Sequence, residues 1–175
     1  MRSLVILFAA GLTACTSVVP STISQLRQLS PIEADPAGFV VFMDLPDGIG
    51  IIEDSAILQL GGVRDEQDES VEGTFVLERG QAGEAETFRI AEGDLERFRD
   101  LQSQIRTWKA EDEDGTTGSL SIGVGGCLID EGPAPRARLA VSMTLEEDGP
   151  VLPLIRPTPV RRALDVLEVE DLPPC

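Results

Sequence analysis

The chain has 175 residues, which suits one domain with a sizeable buried core, and its 31 acidic against 14 basic side chains give a formal net charge of −17. Such an acidic surface repels nucleic acid and anionic lipid headgroups, so we expect no nucleic-acid partner. Histidine and tyrosine are absent, which excludes Ser-His-Asp and Cys-His catalytic sets and the usual zinc ligands. The composition therefore predicts a protein that is not an enzyme and that has no cofactor and no metal site.

The first sixteen residues have the pattern of a secretory signal peptide. Arg2 precedes a mostly apolar run, Leu4–Leu12, and two small residues then lead into a cysteine. The ending Leu12-Thr13-Ala14-Cys15 resembles the lipobox of bacterial lipoproteins. The resemblance covers about a tenth of the chain and concerns its targeting rather than its folded part, which resembles no family that we recognise.

The resemblance implies how the protein is processed and where it is held. In lipoproteins the cysteine thiol receives a diacylglycerol, the peptide is cut just before it, and the new amine is usually acylated, so Cys15 becomes the first mature residue and carries fatty acids such as palmitate. Thr16 at the second mature position favours the periplasmic face of the outer membrane, whereas an aspartate there would favour the inner membrane. The inner membrane stays the alternative, because this sorting rule varies among bacteria.

The apolar run is too short to anchor the protein by itself. As a helix, Leu4–Leu12 would span about 14 Å, roughly half of a hydrocarbon core. Two or three acyl chains would hold the protein firmly, because each buried methylene contributes about 0.8 kcal/mol. We expect a signal peptide over residues 1–14, a lipidated N terminus and tether over 15–30, and a single β-rich domain over 31–175. An ordinary signal peptide cut near Ala14 and a short buried segment are the alternatives for the first part.

Seven segments of the remaining chain have the residue pattern of short strands. Apolar and polar residues alternate most clearly over Val71–Glu78 and Arg136–Leu145. Turn residues such as Pro46-Asp47-Gly48 and the loop Gly80–Gly83 separate the strands. Pro153 confines its strand to a sheet edge, because proline cannot donate to a neighbouring strand. The predicted strands are Phe39–Asp44, Ser55–Val63, Val71–Glu78, Glu84–Ile90, Ser119–Val124, Arg136–Leu145 and Val151–Ile155.

One amphipathic helix interrupts the strands at about residues 94–110, with apolar residues recurring every three or four positions. Asp94 is the expected N-cap, because its carboxylate can accept from the unpaired amides of the first turn. Spacing after Val160 favours a short helix, although Leu164–Val169 could equally be a strand. The predicted fold is an antiparallel β-sandwich of about seven strands with one inserted helix. The apolar stripe consists of Leu95, Phe98, Leu101, Ile105 and Trp108.

Two cysteines remain besides Cys15, namely Cys127 and Cys175. An even pair indicates a disulfide in the oxidising compartment that the lipobox implies. The bond would close a loop of roughly 50 residues, for which chain entropy predicts about 4 kcal/mol of stabilisation. It would also hold a C-terminal tail that otherwise frays. Two free thiols are the alternative.

The acidic turn Glu111–Gly115 suggests a calcium site, because Ca²⁺ prefers oxygen ligands. The spacing of an EF-hand loop is absent: with Asp112 at its position 3, Ala110 would occupy position 1 and Ser121 position 12. We therefore interpret the segment as a solvated acidic turn, with a weak calcium turn as the alternative.

These features predict a non-catalytic lipoprotein on the periplasmic face of the outer membrane. It would serve as an accessory or assembly component and present a sheet face or edge strand to another envelope protein. A second hypothesis is a periplasmic module that binds a ligand or cation through its acidic loops. A third is a hydrolase, which would need two carboxylates converging in an apolar cleft. Lys109, the only lysine, is expected in the helix, a poor place for the base of a Ser–Lys pair.

Overall fold

The computed structural model describes residues 31–166, 169 and 171–175. The predicted signal peptide, Cys15 and the tether lie outside the described residues. Within them, the chain forms nine β-strands and two α-helices. The strands are β1 (Val40–Asp44), β2 (Ile49–Ile51), β3 (Ile57–Arg64), β4 (Glu69–Ala82), β5 (Ala85–Ile90), β6 (Thr116–Gly123), β7 (Gly126–Leu128), β8 (Arg138–Thr144) and β9 (Leu152–Pro159); the helices are α1 (Leu95–Glu111) and α2 (Val160–Val166).

Seven strands form one curled antiparallel sheet in the order β6-β3-β4-β5-β1-β8-β9. The first half of β4 pairs with β3 and its second half with β5, so this long strand joins two groups of strands. The predicted mainly β, antiparallel fold with one inserted helix is confirmed, and each predicted strand matches a strand of this sheet. β2 and β7 form a second, two-stranded sheet. The sequence pattern misses both, because three residues are too few to show alternation.

The core lies between the inner face of the curled sheet and helix α1. Alternation along β3 and β4 turns Leu58 and Phe75 inward, where both side chains are almost fully buried. The predicted apolar stripe of α1 packs on this face through Phe98 and Ile105, which have no exposed surface, and Trp108 of the same stripe is also buried. The ring centroids of Phe98 and Phe75 are 4.9 Å apart. Burial of these side chains is the main term that stabilises the fold.

Helix α1 begins within one residue of its predicted start, but its first turn differs from the expected one. Asp94 occupies the N-cap position without a side-chain capping bond. Its carboxylate instead accepts from the Arg97 guanidinium, with a shortest distance of 3.1 Å to Nη2. A 3-10 turn over Glu92–Asp94 precedes the helix. The backbone of Asp94 therefore already has helical dihedral angles, whereas an N-cap residue is usually extended. The N-cap prediction was therefore wrong about the hydrogen bond and right about the position.

The first described segment crosses α1 and covers the side of the helix that the sheet leaves open. The buried Gln102 amide donates to the carbonyl oxygens of Pro31 and Ala34, both at 2.8 Å. Arg106 donates to the Ile32 carbonyl oxygen at 2.9 Å. The Ile32 side chain reaches the inner face of β6, where it packs over Gly118. The described chain therefore starts beside β6.

The C-terminal part ends at a sheet edge and in a short helix. β9 is the last strand of the large sheet, as the position of Pro153 predicts. The segment Val160–Val166 forms α2, so the short helix that the spacing favours is confirmed over these residues. No helix within the described part of the chain has the length and apolar character needed to cross a membrane.

Candidate functional site

The structure contains the predicted disulfide between Cys127 and Cys175, with an S–S distance of 2.11 Å. Cys127 lies in β7 and is buried. Backbone hydrogen bonds join the tail to the same strand: the Leu128 amide donates to the Pro173 carbonyl oxygen at 2.8 Å, and the Cys175 amide donates to that of Leu128 at 2.9 Å. The disulfide and these bonds hold the end of the chain alongside β7.

A shallow apolar groove of about 290 Å³ lies next to this tail. Its walls are the loop Glu131–Pro135, the helix α2 and the tail residue Leu172. Three charged residues, Glu131, Arg161 and Asp171, also line it. The described residues that line the groove do not include a set of converging, buried polar groups of the kind with which a small-molecule site fixes its ligand.

The predicted acidic turn has two of its carboxylates already engaged. Glu111 Oε2 lies 2.8 Å from Nη2 of Arg64, and Asp112 Oδ1 accepts from the Gly115 amide at 3.0 Å. Glu113 and Asp114 are exposed. Among the described residues, no three His, Cys, Asp or Glu side chains are grouped so that they could hold a metal ion. This turn leads directly into β6.

The two edges of the large sheet differ in their residues. β9 carries Pro153, Pro157 and Pro159, which cannot donate a backbone hydrogen bond, and an exposed arginine, Arg156. Prolines and charges of this kind are how natural proteins prevent another strand from pairing with an edge. β6, at the opposite edge, has the sequence Thr-Thr-Gly-Ser-Leu-Ser-Ile-Gly, with no proline and no charge. Of the two edges of the described sheet, β6 is therefore the one whose own residues do not prevent pairing with another strand.

The hydrogen-bond pattern of β6 shows which backbone groups face outward. The Asp65 amide donates to the Gly115 carbonyl oxygen at 3.1 Å, and in an antiparallel pair such bonds recur at every second residue. Thr117, Ser119 and Ser121 therefore direct their N–H and C=O groups toward β3. Within the described residues β6 pairs with β3 alone. The residues whose backbone groups point away from β3 are Thr116, which is buried, and Gly118, Leu120 and Ile122, which are partly exposed.

The outward-facing side chains of β6 are small and polar. Thr117, Ser119 and Ser121 lie exposed on the outer face of the sheet. The Ser121 hydroxyl donates to Gln59 Oε1 on the neighbouring strand β3 at 3.2 Å. Val124, which follows the strand, is 37 % exposed. The edge thus has acidic residues before it and an apolar residue after it.

Comparison with known protein families, with curated proteins and with solved structures found no match to this chain. Cys15, predicted to carry the lipid, lies outside the described residues, whereas Cys127 and Cys175 are brought together as predicted. Sequence reasoning did not single out β6. The signal that could have found it is the contrast between an uncharged, proline-free strand and the three prolines of β9.

Proposed function

We propose that the protein is a non-catalytic lipoprotein of the bacterial envelope, held at the periplasmic face of the outer membrane through Cys15. In this proposal it is an accessory or assembly component that binds another envelope protein along β6. The observation that carries the binding role is that, among the described residues, β6 pairs with β3 alone and contains no proline or charge, whereas β9 at the opposite edge contains three prolines. The lipobox-like ending at Cys15 supports the membrane location.

The position of the first described residues is compatible with both parts of the proposal. Ile32 packs over Gly118, so the described part of the chain starts beside β6. A tether over residues 15–30, at about 3.3 Å per residue when fully extended, reaches at most roughly 50 Å. β6 would therefore stay within reach of partners that lie in or near the same membrane.

Site-specific photo-crosslinking in living cells tests the binding role. A photoreactive residue replaces Ser119 in β6, and the matched control replaces Arg156 in β9; both positions are exposed and lie on opposite edges of the sheet. We expect one dominant adduct from position 119 and none from position 156. Equal adduct patterns from the two positions, or no adduct from position 119, would contradict the role of β6.

Lipid labelling tests the anchor separately. We expect the wild-type protein to incorporate radiolabelled palmitate and to sediment with outer membranes, and the Cys15→Ser variant to lose both properties. Cys127→Ser is the matched control, because it removes a cysteine that lies buried in β7 and leaves the lipobox intact. Labelling that persists in Cys15→Ser would remove the lipoprotein assignment.

A further inference from the structure

We propose that the partner segment on β6 is an extended strand that pairs antiparallel with β6 and carries lysine or arginine residues at its C-terminal end. This inference rests on the proposed function and specifies the chemistry of the partner. Three observations carry it: the outward backbone groups of β6, the acidic turn before β6 and the apolar residue after it.

The backbone sets the geometry of the added strand. Gly118, Leu120 and Ile122, all partly exposed, each direct one N–H and one C=O group away from β3, and main-chain bonds to such groups provide the affinity in strand addition. Every pair of neighbouring strands in the sheet is antiparallel, and antiparallel pairing is slightly more stable per residue than parallel pairing. An antiparallel strand of about eight residues would match the length of β6.

The antiparallel direction of the partner strand determines which of its ends lies near the acidic turn of this protein. The C-terminal end of an antiparallel partner lies beside the N-terminal end of β6, next to Glu113 and Asp114. Both carboxylates are exposed, and among the described residues neither belongs to an ion pair, unlike Glu111, which is paired with Arg64. Basic residues at that end of the partner would therefore meet two unpaired negative charges, which favours encounter and sets the register.

The other end of the edge is apolar. Val124 directly follows β6, and Ile52, 41 % exposed, lies close to it, because a Cβ added at Gly125 would be 3.4 Å from Ile52 Cδ1. The N-terminal end of the partner strand would contact these side chains. An apolar start and a basic end distinguish the proposed strand from an arbitrary extended peptide.

A second copy of this chain is the competing occupant, and its charge argues against it. Two chains of net charge −17 repel each other, and high net charge favours the monomeric state. The same negative charge attracts a basic partner. The occupant proposed here is therefore a different protein.

Peptide binding to the full mature chain tests the inference. The probe is a synthetic peptide of alternating valine and threonine that ends in a run of lysines, and binding is measured by fluorescence anisotropy and by the NMR shifts of the protein amides. We expect saturable binding with the largest shifts over Thr116–Gly123. A peptide methylated on alternate backbone nitrogens should not bind, because it cannot donate to the edge, and a peptide ending in glutamates should bind at least tenfold more weakly.

Charge reversal on the protein provides the matched control. We expect the double variant Glu113→Lys/Asp114→Lys to bind the lysine peptide about tenfold more weakly at low salt, because two surface charge pairs turn from attraction into repulsion. The variant Glu147→Lys/Asp148→Lys alters an exposed acidic turn before β9 by the same charge and should bind as the wild type does. Unchanged circular dichroism verifies that both variants are folded.

Three results would overturn the inference. They are equal weakening by the two double variants, peptide-induced shifts that lie away from β6, and a dimer in sedimentation equilibrium that forms through β6. A peptide that fails to bind, while photo-crosslinking at Ser119 still captures a partner, would overturn the basic strand and leave the proposed function intact. Loss of the crosslink as well would overturn both.

Discussion

The neighbouring glycines of β3 allow a sharp test of which sheet face is buried. Gly62 lies on the inner face, where a Cβ added to it would be 2.7 Å from Cγ1 of Ile105, a side chain with no exposed surface. Gly61 lies on the outer face, and its nearest neighbour would be the Ser119 hydroxyl at 3.0 Å. That hydroxyl can rotate away at little cost, whereas Cγ1 of Ile105 is tied to its own backbone and enclosed by the core.

The magnitude follows from these contacts. Forcing a methyl group into a packed core costs about 1–3 kcal/mol, and replacing glycine with alanine offsets about 0.4–1 kcal/mol by restricting the unfolded chain. We expect Gly62→Ala to lower the free energy of unfolding by about 1–2 kcal/mol, and Gly61→Ala to change it by less than about 0.5 kcal/mol. Both substitutions change the unfolded state alike, so their difference isolates the packing against Ile105.

Urea unfolding followed by the fluorescence of Trp108, the only tryptophan and a buried one, measures both variants. Equal slopes of the free energy against urea would show that only the folded state has changed. If Gly61→Ala destabilised the protein as much as Gly62→Ala, the assignment of the inner face of β3 and the packing of α1 on it would be wrong.

Two further predictions concern bonds that the structure shows. Replacing both Cys127 and Cys175 with serine should lower the free energy of unfolding by about 2–4 kcal/mol, because the disulfide joins residues 48 positions apart. Urea unfolding measures this loss. A loss below about 1 kcal/mol would contradict the prediction. The Arg99 guanidinium donates to the Asp35 carboxylate at 2.8 Å and lowers the pKa of Asp35, so Arg99→Ala should raise that pKa toward its ordinary value in an NMR titration. Because the pKa of Asp35 is lower in the folded than in the unfolded protein, the small stabilisation by this exposed pair is present above about pH 4 and disappears as the pH falls through the folded pKa. An unchanged Asp35 pKa in Arg99→Ala would contradict the pairing.

The strands and the main helix could be predicted from the sequence because each has a local cause. Apolar and polar residues alternate over Val71–Glu78, which predicts a strand with one buried face. The apolar stripe from Leu95 to Trp108 predicts a helix that packs on one side. Pro153 indicated an edge strand because the missing N–H is a property of the residue itself. The pairing of Cys127 with Cys175 was available because only two cysteines remained once Cys15 was assigned to the lipid.

By itself the sequence determined the mainly β class, the seven strands of the large sheet, the single main helix and the disulfide pair. Only the tertiary structure decided the strand order, the position of β6 at one edge of the described sheet, and the segment after Pro31 that crosses α1. Side-chain periodicity tells which face of a strand is buried, but it contains no information on which strand lies beside it. The sequence pattern does not reveal the pairing of β6 with β3, because the two strands are more than fifty positions apart in the chain. Such a pairing follows from the packing of the whole domain.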